Sequence, residues 1–426
     1  MTSEVLILNK HAIVLAADSA VTTSPLRDGE HPRYSKTATK LFELANHGSV
    51  AVMIYGSAAV DLVPWEVVVK LFRTKLGSKK LPDLDSYLNE LISFIGSSTT
   101  LFSSDILTKL TGARLLEAAR FVFQWAVDLD RQLTDITVSL DDRKKVWGGA
   151  VKTMREDLAA RPVSGSLSEA QLVAAKADMG PWIASVESEL KNVEAARAVS
   201  AAELTELALE ALYKRADQFL SPTGVVVAGY GDDDIFPGYV AVEVYGHIGE
   251  ELYHLKGKNF KVTHTQSSSI EAFAQRSMID VFTDGFGFPL WKILSDESLE
   301  KLQSLVVKLK DEGVVIATEV ADSAVKEVHE EFMSGWTKKN YSQNWHPLTE
   351  VLASLGVQEM AHLGETLLTL QALKERVTSS SESVGGPIDV AAITKSEGLV
   401  WLKRKHFFEQ QLNVRYLTRV QRTLHT

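Results

Sequence analysis

The second residue of the chain could carry out hydrolytic chemistry largely on its own. Thr2 follows Met1, and an initiator methionine is usually removed before a residue this small. The exposed threonine would then hold a hydroxyl and a free α-amine. Because an α-amine has an ordinary pKa of ~8, part of it is neutral at pH 7 and can accept the hydroxyl proton, directly or through a water. One residue would supply nucleophile and base. A leader would block the amine, so we expect none.

A buried carboxylate is the second chemical feature. Asp18 follows the apolar residues 14–17, so it should lie at the end of a buried strand. A charged group in that position requires a partner, because burial of an unpaired charge is costly. We therefore expect Asp18 to have a partner inside the protein.

Strand-like segments supply the frame for these residues. The first 60 residues predict two hairpins, one turning at Asn9-Lys10 and one around 46–48. Strands return after Ser221-Pro222, in the segments TGVVVAGYG, PGYVAVEVYG, EELYHLKG and NFKVTHT. The segments GGPIDVAAIT and GLVWLKR predict a closing strand pair.

Helical periodicity fills the remainder. Apolar residues at three- and four-residue spacing predict helices over about 57–220 and about 269–376. Ser200 with Glu203 is typical of a capping box at a helix start. Strands segregated from helices indicate an α+β fold in which two packed sheets are sandwiched by helical layers.

We expect a single domain over 1–402, followed by a basic helix or tail over 403–426. Within the domain, the predicted sheet segments are about 1–60, 221–265 and 385–402, and the helical insertions are about 61–220 and 269–380. The basic tail is either solvated or docked on an acidic patch of its own chain, and the alternative is a contact with a partner or with nucleic acid.

Composition excludes several function classes. The chain has no cysteine, which excludes disulfides, thiolate metal sites and a cysteine nucleophile, and fits a cytoplasmic protein. Its histidines form no HxxxH or HExxH motif, so we expect no metal and no other cofactor. A net charge of −10 argues against a broad nucleic-acid footprint. No apolar run approaches the ~18 residues of a membrane span.

Four short pieces, taken in order, resemble the proteasome β subunit and the peptidase subunit of the simpler bacterial two-ring heat-shock protease. That family has an aspartate sixteen residues after its catalytic threonine, and Asp18 lies sixteen residues after Thr2. Residues 40–44 resemble its lysine-led strand, after a longer loop. Residues 55–59 resemble its Gly-(Gly/Ser)-Ala-Ala turn. Residues 385–390 resemble its Ser-Gly-Gly turn into a late strand.

The resemblance implies a role for each matching residue. Thr2 would be the nucleophile. Lys40 would pair with Asp18 and hold a positive charge near Thr2; the alternative is a purely structural ion pair between Lys40 and Asp18. Lys36 lies four residues earlier in a polar loop with no strand after it, so it ranks lower. The Gly56 N–H would form the oxyanion hole, the alternative being a turn glycine at a strand end.

The resemblance also implies a substrate pocket and a supporting serine. Ile54, Ser57 and Val21 would contact the substrate, with a preference for an apolar side chain. The family has a serine in a Gly-Ser-Gly-Ser turn before a helix, and the matching candidate is Ser267. The glycines are missing here, and Ser269 is an alternative as the N-cap of a helix IEAFAQRSMID.

A further family position is altered. Where the family has an aspartate four residues before its Gly-Gly pair, this chain has Ser381 with Glu382 beside it. We expect either weaker activity or a substitution by Glu382.

These features predict a four-layer αββα N-terminal-nucleophile hydrolase with enlarged helical insertions. The expected reaction is threonine-type hydrolysis of a peptide or protein substrate by a cytoplasmic homo-oligomer, with a regulatory partner left open and no nucleic acid or membrane involved. Two alternatives remain: an amidase of the same fold that acts on a small amide, and a catalytically inactive proteasome-like scaffold subunit.

Overall fold

The computed structural model describes residues 3–23, 33–46, 48–191, 193–378, 385–406, 408–415 and 418. Thr2, Ser381 and Glu382 therefore lie outside the described residues. The protein is a mixed α+β chain with several antiparallel sheets. No helix in the described part of the chain is long and apolar enough to cross a membrane.

The strands fall into three stretches of the sequence that are separated by helices. In chain order they are β1 (Ser3–Asn9), β2 (Ile13–Ala17), β3 (Val21–Thr23), β4 (Arg33–Ser35), β5 (Leu41–Glu43), β6 (Val50–Gly56), β7 (Ala59–Val60), β8 (Val63–Pro64), β9 (Thr223–Gly229), β10 (Gly238–Ile248), β11 (Glu251–Lys261), β12 (Ser268–Ala274), β13 (Asp389–Thr394) and β14 (Gly398–Lys403).

The helices follow the predicted blocks. They are α1 (Trp65–Leu76), α2 (Leu84–Ser97), α3 (Ser104–Leu129), α4 (Leu140–Ala159), α5 (Glu169–Ala177), α6 (Gly180–Leu190), α7 (Ala201–Lys214), α8 (Ser277–Asp284), α9 (Phe288–Asp311), α10 (Thr318–Asn340), α11 (His346–Leu352) and α12 (Val357–Thr378). Short 3₁₀ turns occur at Arg131–Leu133, Glu194–Ala198, Ala216–Gln218 and Gln410–Asn413, and a π-helical turn joins α10 to α11 at Tyr341–Trp345.

Two five-stranded antiparallel sheets form the centre of the fold. The first has the strand order β12-β1-β2-β13-β14, and the second has the order β11-β10-β9-β6-β5. Alternate residues of β1 show how they pack: Leu6 and Leu8 lie in the core shared with the second sheet, and Val5 and Ile7 lie in the core beneath α12. Because both faces of such strands are buried, they read as uninterrupted apolar runs.

Helices cover the outer face of each sheet. α1 and α2 bury apolar side chains against the second sheet, and α8, α11 and α12 do so against the first. Helices α3 to α7 form a separate core that reaches the sheets through Tyr245, Ile248 and Tyr253. Ser200 caps α7 as predicted by accepting from the Glu203 N–H, although the Glu203 carboxylate accepts instead from Trp147.

Three predicted elements were wrong in type or extent. The segment IEAFA belongs to strand β12, not to a helix, so the second helical block begins at Ser277 instead of Ser269. The reason is that β12 completes the hydrogen-bonding edge of β1, a partner that periodicity cannot reveal. β11 is one continuous strand where two were predicted. β7 and β8 form a small hairpin before α1, in a segment that was predicted to be helical.

The described part of the tail contacts its own chain. The Lys405 ammonium lies 2.5 Å from an Asp389 carboxylate oxygen, and Lys403 forms an ion pair with Glu365. Lys403 and Lys405, at the start of the tail, thus contact acidic groups of the same chain.

Candidate active site

A buried ion pair joins the two sheets. Asp18 directly follows β2 of the first sheet, and Lys40 directly precedes β5 of the second. The Lys40 ammonium donates a hydrogen bond to Asp18 Oδ1, and the two residues are 4% and 1% exposed. Predicted Lys40 and Asp18 are thus brought together, away from solvent. The exposed Lys36 is not part of this pair.

Three backbone amides complete the hydrogen bonding of the Asp18 carboxylate. The N–H of Ser3 donates to Oδ1 at 3.1 Å. The N–H groups of Gly385 and Ala20 donate to Oδ2 at 2.8 and 3.3 Å. Charge-assisted bonds of this kind are stronger than neutral ones. Asp18 therefore holds the start of β1, the end of β2 and the turn before β13 around one carboxylate.

The turn before β13 supports the same residues. The Ser19 N–H donates to the Gly385 carbonyl at 3.2 Å, and the Ser19 hydroxyl donates to the Pro387 carbonyl at 2.5 Å. Gly386 has a φ of +81°, and a Cβ there would lie 2.9 Å from the Lys36 Cβ. Glycine is therefore required for the close approach of this turn.

A second buried carboxylate lies beside Lys40. Glu4 is fully buried, and its Oε1 is 3.7 Å from the Lys40 ammonium nitrogen. It shares the strand phase of Leu6 and Leu8, so it faces the core between the sheets. Sequence reasoning missed Glu4, although an acidic residue in phase with core positions of an apolar strand was a usable signal.

The charge of Glu4 reaches a neighbouring tyrosine. The pKa of Tyr55 is raised to about 12, chiefly by burial and further by the negative charges of Glu243 and Glu4. The phenol is therefore neutral at physiological pH.

A small cavity brings most of the other predicted residues together. It has a volume of about 160 Å³, and Lys40 lies in its wall. The remaining lining residues are Val21, Ala38, Thr39, Ile54, Gly56, Ser57, Ala58, Pro64, Trp65 and Glu66. Because ligand pockets usually exceed ~300 Å³, a cavity of this size suits one side chain better than a whole ligand.

Gly56 has a conformation that other residues would adopt only with strain. It ends β6 with a φ of +83°, and a Cβ there would lie 2.6 Å from the Pro222 carbonyl oxygen. Any larger residue at position 56 would therefore clash with the neighbouring backbone. This geometry suits a turn at the strand end and also leaves the backbone open to a substrate in the cavity.

Ser267 does not lie at this site. It immediately precedes β12, whose first residue, Ser268, pairs with Asn9 at the far end of β1. Ser3 pairs instead with Ala274, and six strand steps of ~3.4 Å separate the two ends by roughly 20 Å. Ser269 is within the strand, so it is not a helix N-cap.

The expected place of Ser267 is taken by the turn that follows β12. The Ser3 hydroxyl donates to the Gln275 carbonyl at 2.9 Å, and Ala274 before it has a φ of +60°. Ser277 then begins α8, and its hydroxyl accepts from the Lys374 ammonium at 3.0 Å. The signal missed was a serine directly before the helical segment MIDVF.

No group of three or more His, Asp or Glu residues within the described ranges is arranged to hold a metal ion. The arrangement at the start of β1 is instead a buried ammonium with carboxylates, beside a small cavity and a glycine backbone. The ammonium and a backbone N–H are groups that can stabilise an anionic oxygen.

Comparisons with known proteins identify no family. No protein-family model and no curated protein matches the chain. Among solved structures, the chain is similar to one described as the Gly-1 mutant of Anbu from Hyphomicrobium sp. strain MC1. The identity is 8%, the TM-score is 0.29, and the match covers 100% of this chain and 97% of that chain. A likeness at this TM-score decides neither fold nor function.

Proposed function

We propose that this protein is an N-terminal-nucleophile hydrolase that cleaves peptide bonds with Thr2 after removal of Met1. The observation that carries the proposal is the buried Lys40–Asp18 pair, whose carboxylate also binds the N–H of Ser3. That nitrogen is covalently attached to the carbonyl carbon of Thr2. A buried cation and the residue proposed as nucleophile are thus linked through one carboxylate.

The layering of the fold supports this class. Two face-to-face sheets with helices packed on both outer faces support a four-layer αββα sandwich, in which we treat α3–α7 and α9–α10 as additions. In this arrangement the nucleophile is the residue that opens a central strand of the first sheet, and β1 has that position between β12 and β2.

Each residue has a defined step in the proposed reaction. The Thr2 hydroxyl oxygen bonds to the substrate carbonyl carbon while its proton passes to the Thr2 α-amine. The Gly56 N–H and the Lys40 charge stabilise the resulting oxyanion, and one such donor lowers a barrier by ~3 kcal/mol. The carbon–nitrogen bond then breaks, and the leaving amine takes the proton. Water cleaves the ester and restores the hydroxyl.

The small cavity supports a peptide substrate with an apolar residue before the cleaved bond. Ile54 is only 4% exposed, and Val21 and Ser57 line the cavity with it. Ser277 replaces Ser267 as the serine that assists the amine, because its turn lies against Ser3. Assembly into a homo-oligomer in the cytoplasm also belongs to the proposal, and sedimentation of the purified chain tests the oligomeric state.

Intact-mass measurement after treatment with a β-lactone or an epoxyketone tests the nucleophile. We expect loss of Met1 and one adduct per chain in the wild type, no adduct in Thr2→Ala, and a retained adduct in Thr39→Ala. Thr39 is a matched control because it lines the same cavity but has no free amine.

Four outcomes count against all or part of the proposal. Retained Met1 in material that forms the adduct would exclude the N-terminal mechanism. An adduct that persists in Thr2→Ala would place the nucleophile elsewhere. A wild type that has lost Met1 but reacts with neither reagent would favour the scaffold alternative. If the adduct forms but only small amides are turned over, the enzyme is an amidase and not a peptidase.

A further inference from the structure

A larger cavity lies next to the proposed site, beside the turn that follows β12. Its volume is about 620 Å³, within the range of ligand-binding pockets. Its lining comes from the β12–α8 turn, α8, the start of α9 and α12, and consists of Gln275, Arg276, Ser277, Asp280, Asp284, Phe286, Phe288, Pro289, Trp291 and Glu375. We call it the α8–α9 cavity.

Ser3 connects this cavity to the smaller one. Its backbone N–H donates to Asp18, whose partner Lys40 lines the smaller cavity. Its hydroxyl donates to the carbonyl of Gln275, which lines the α8–α9 cavity. A substrate bond held next to Ser3 therefore has one cavity on the Lys40 side and another on the Gln275 side.

Aromatic rings form one wall of the α8–α9 cavity. Phe288 and Trp291 are stacked with ring centroids 5.8 Å apart, and Phe288 is 67% exposed. Phe286 packs edge-on against Trp336, with centroids 4.6 Å apart. Aromatic faces of this kind attract cations and cover the methylene stems of lysine and arginine.

Carboxylates outnumber cations in the lining. Arg276 forms an ion pair with Asp280 at 2.7 Å, and Asp284 and Glu375 are the other two acidic residues of the lining. The pKa of Asp284 is raised, first by burial and then by the charge of Asp280. Besides Arg276, the Lys374 ammonium is a positive charge near the cavity, and it donates a hydrogen bond to the Ser277 hydroxyl. An incoming cation would therefore meet an acidic aromatic cavity.

We propose that the α8–α9 cavity binds the leaving-group side of the peptide and selects a lysine or arginine side chain there. This inference rests on the proposed function, because the small cavity with Lys40 and Gly56 takes the residue before the cleaved bond. The side-chain stem lies along Phe288 and Trp291, and the charged end pairs with Asp284.

Binding to the full-length Thr2→Ala chain tests the selection without requiring catalysis. Two fluorescent peptides are compared that differ only in lysine or norleucine immediately after the scissile position. We expect the lysine peptide to bind about tenfold more tightly, as one charge-assisted contact allows. Adding Asp284→Asn should remove this preference, and Glu375→Gln should reduce it.

Asp311→Asn is the matched control. Asp311 is an exposed acid at the end of α9, the helix whose start lines the cavity, and it lies outside the lining. Equal binding of the two peptides would overturn the inference, as would a lysine preference that survives Asp284→Asn in a folded chain with unchanged circular dichroism. A lysine preference in a chain whose wild type forms no β-lactone adduct would retain the cation site and reject the hydrolase. A β-lactone adduct without the lysine preference would retain the hydrolase and reject the cation site.

Discussion

Removal of the Lys40 ammonium should destabilise the protein strongly. The variant Lys40→Met keeps a side chain of similar length but leaves two buried carboxylates, Asp18 and Glu4, without their shared cation. Loss of one partner of a buried ion pair typically costs ~3–5 kcal/mol. Three backbone donors still hold Asp18, which lowers the cost, and the second carboxylate raises it. We therefore expect the unfolding free energy to fall by about 3–4 kcal/mol.

Urea denaturation at pH 7 measures this change, with Lys70→Met as the matched control. Lys70 also forms an ion pair, with Glu66, but its side chain is 59% exposed. An exposed pair of this kind contributes less than ~1 kcal/mol. The double variant Lys40→Met with Asp18→Asn should be more stable than the two single costs predict, because a neutral amide then replaces one of the two carboxylates that Lys40→Met leaves without a cation.

One result would refute this account. If Lys40→Met and Lys70→Met shift the denaturation midpoint equally, the Lys40 ammonium is not buried in solution. Its link to the start of β1 would then give no support to the proposed nucleophile.

Three further substitutions test other parts of the site and fold. Gly56→Ala should lower the free energy of unfolding by about 2–4 kcal/mol, from backbone strain and a clash, and slow adduct formation at least about a hundredfold. Gly77→Ala is its control: Gly77 has a φ of +59° but lies in open space, so only the strain of about 1–2 kcal/mol is expected. Equal costs would contradict the close contact at Gly56. Ser277→Ala should slow adduct formation by about tenfold and Ser267→Ala should leave it unchanged, and the reverse order would restore Ser267 as the supporting serine. Burial raises the pKa of Asp61, but its bonds to a buried histidine and an arginine lower it by more, so the pKa of this carboxyl lies below its ordinary value. Its stabilising effect is therefore present above about pH 4 and is progressively lost as the pH falls from there through the lowered pKa. The stability cost of Asp61→Asn, from urea midpoints at pH 7 and pH 3, should be smaller at pH 3 than at pH 7; an unchanged cost would exclude this linkage.

Much of the central fold was predictable from residue pattern. β1, β2, β6, β9 and β13 are buried on both faces, so each is a short apolar run bounded by turn residues. Burial follows from side-chain chemistry, and runs of this length leave little choice other than strand. The positions of Asp18 and Lys40 at strand ends followed from the same pattern together with the family resemblance.

Strand β12 shows where the pattern was insufficient. Its serines and the segment IEAFA fit either a helix start or a strand, and only pairing with β1 decided the outcome. That pairing placed Ser267 at the wrong end of the sheet and brought Gln275 and Ser277 to Ser3. Register is a property of two strands together, and neither strand encodes it alone.

By itself the sequence determined which residues had to be buried and which chemical groups were available: a threonine at position 2, a carboxylate at the end of a buried run, and a lysine opening another strand. The tertiary structure decided which of these groups meet. Burial depends on the composition of one segment, whereas the contacts of Lys40 with Asp18 and Glu4, and of Ser3 with Gln275, depend on how distant segments pack. That packing is set by sheet pairing and by the shared core, and local periodicity does not record it.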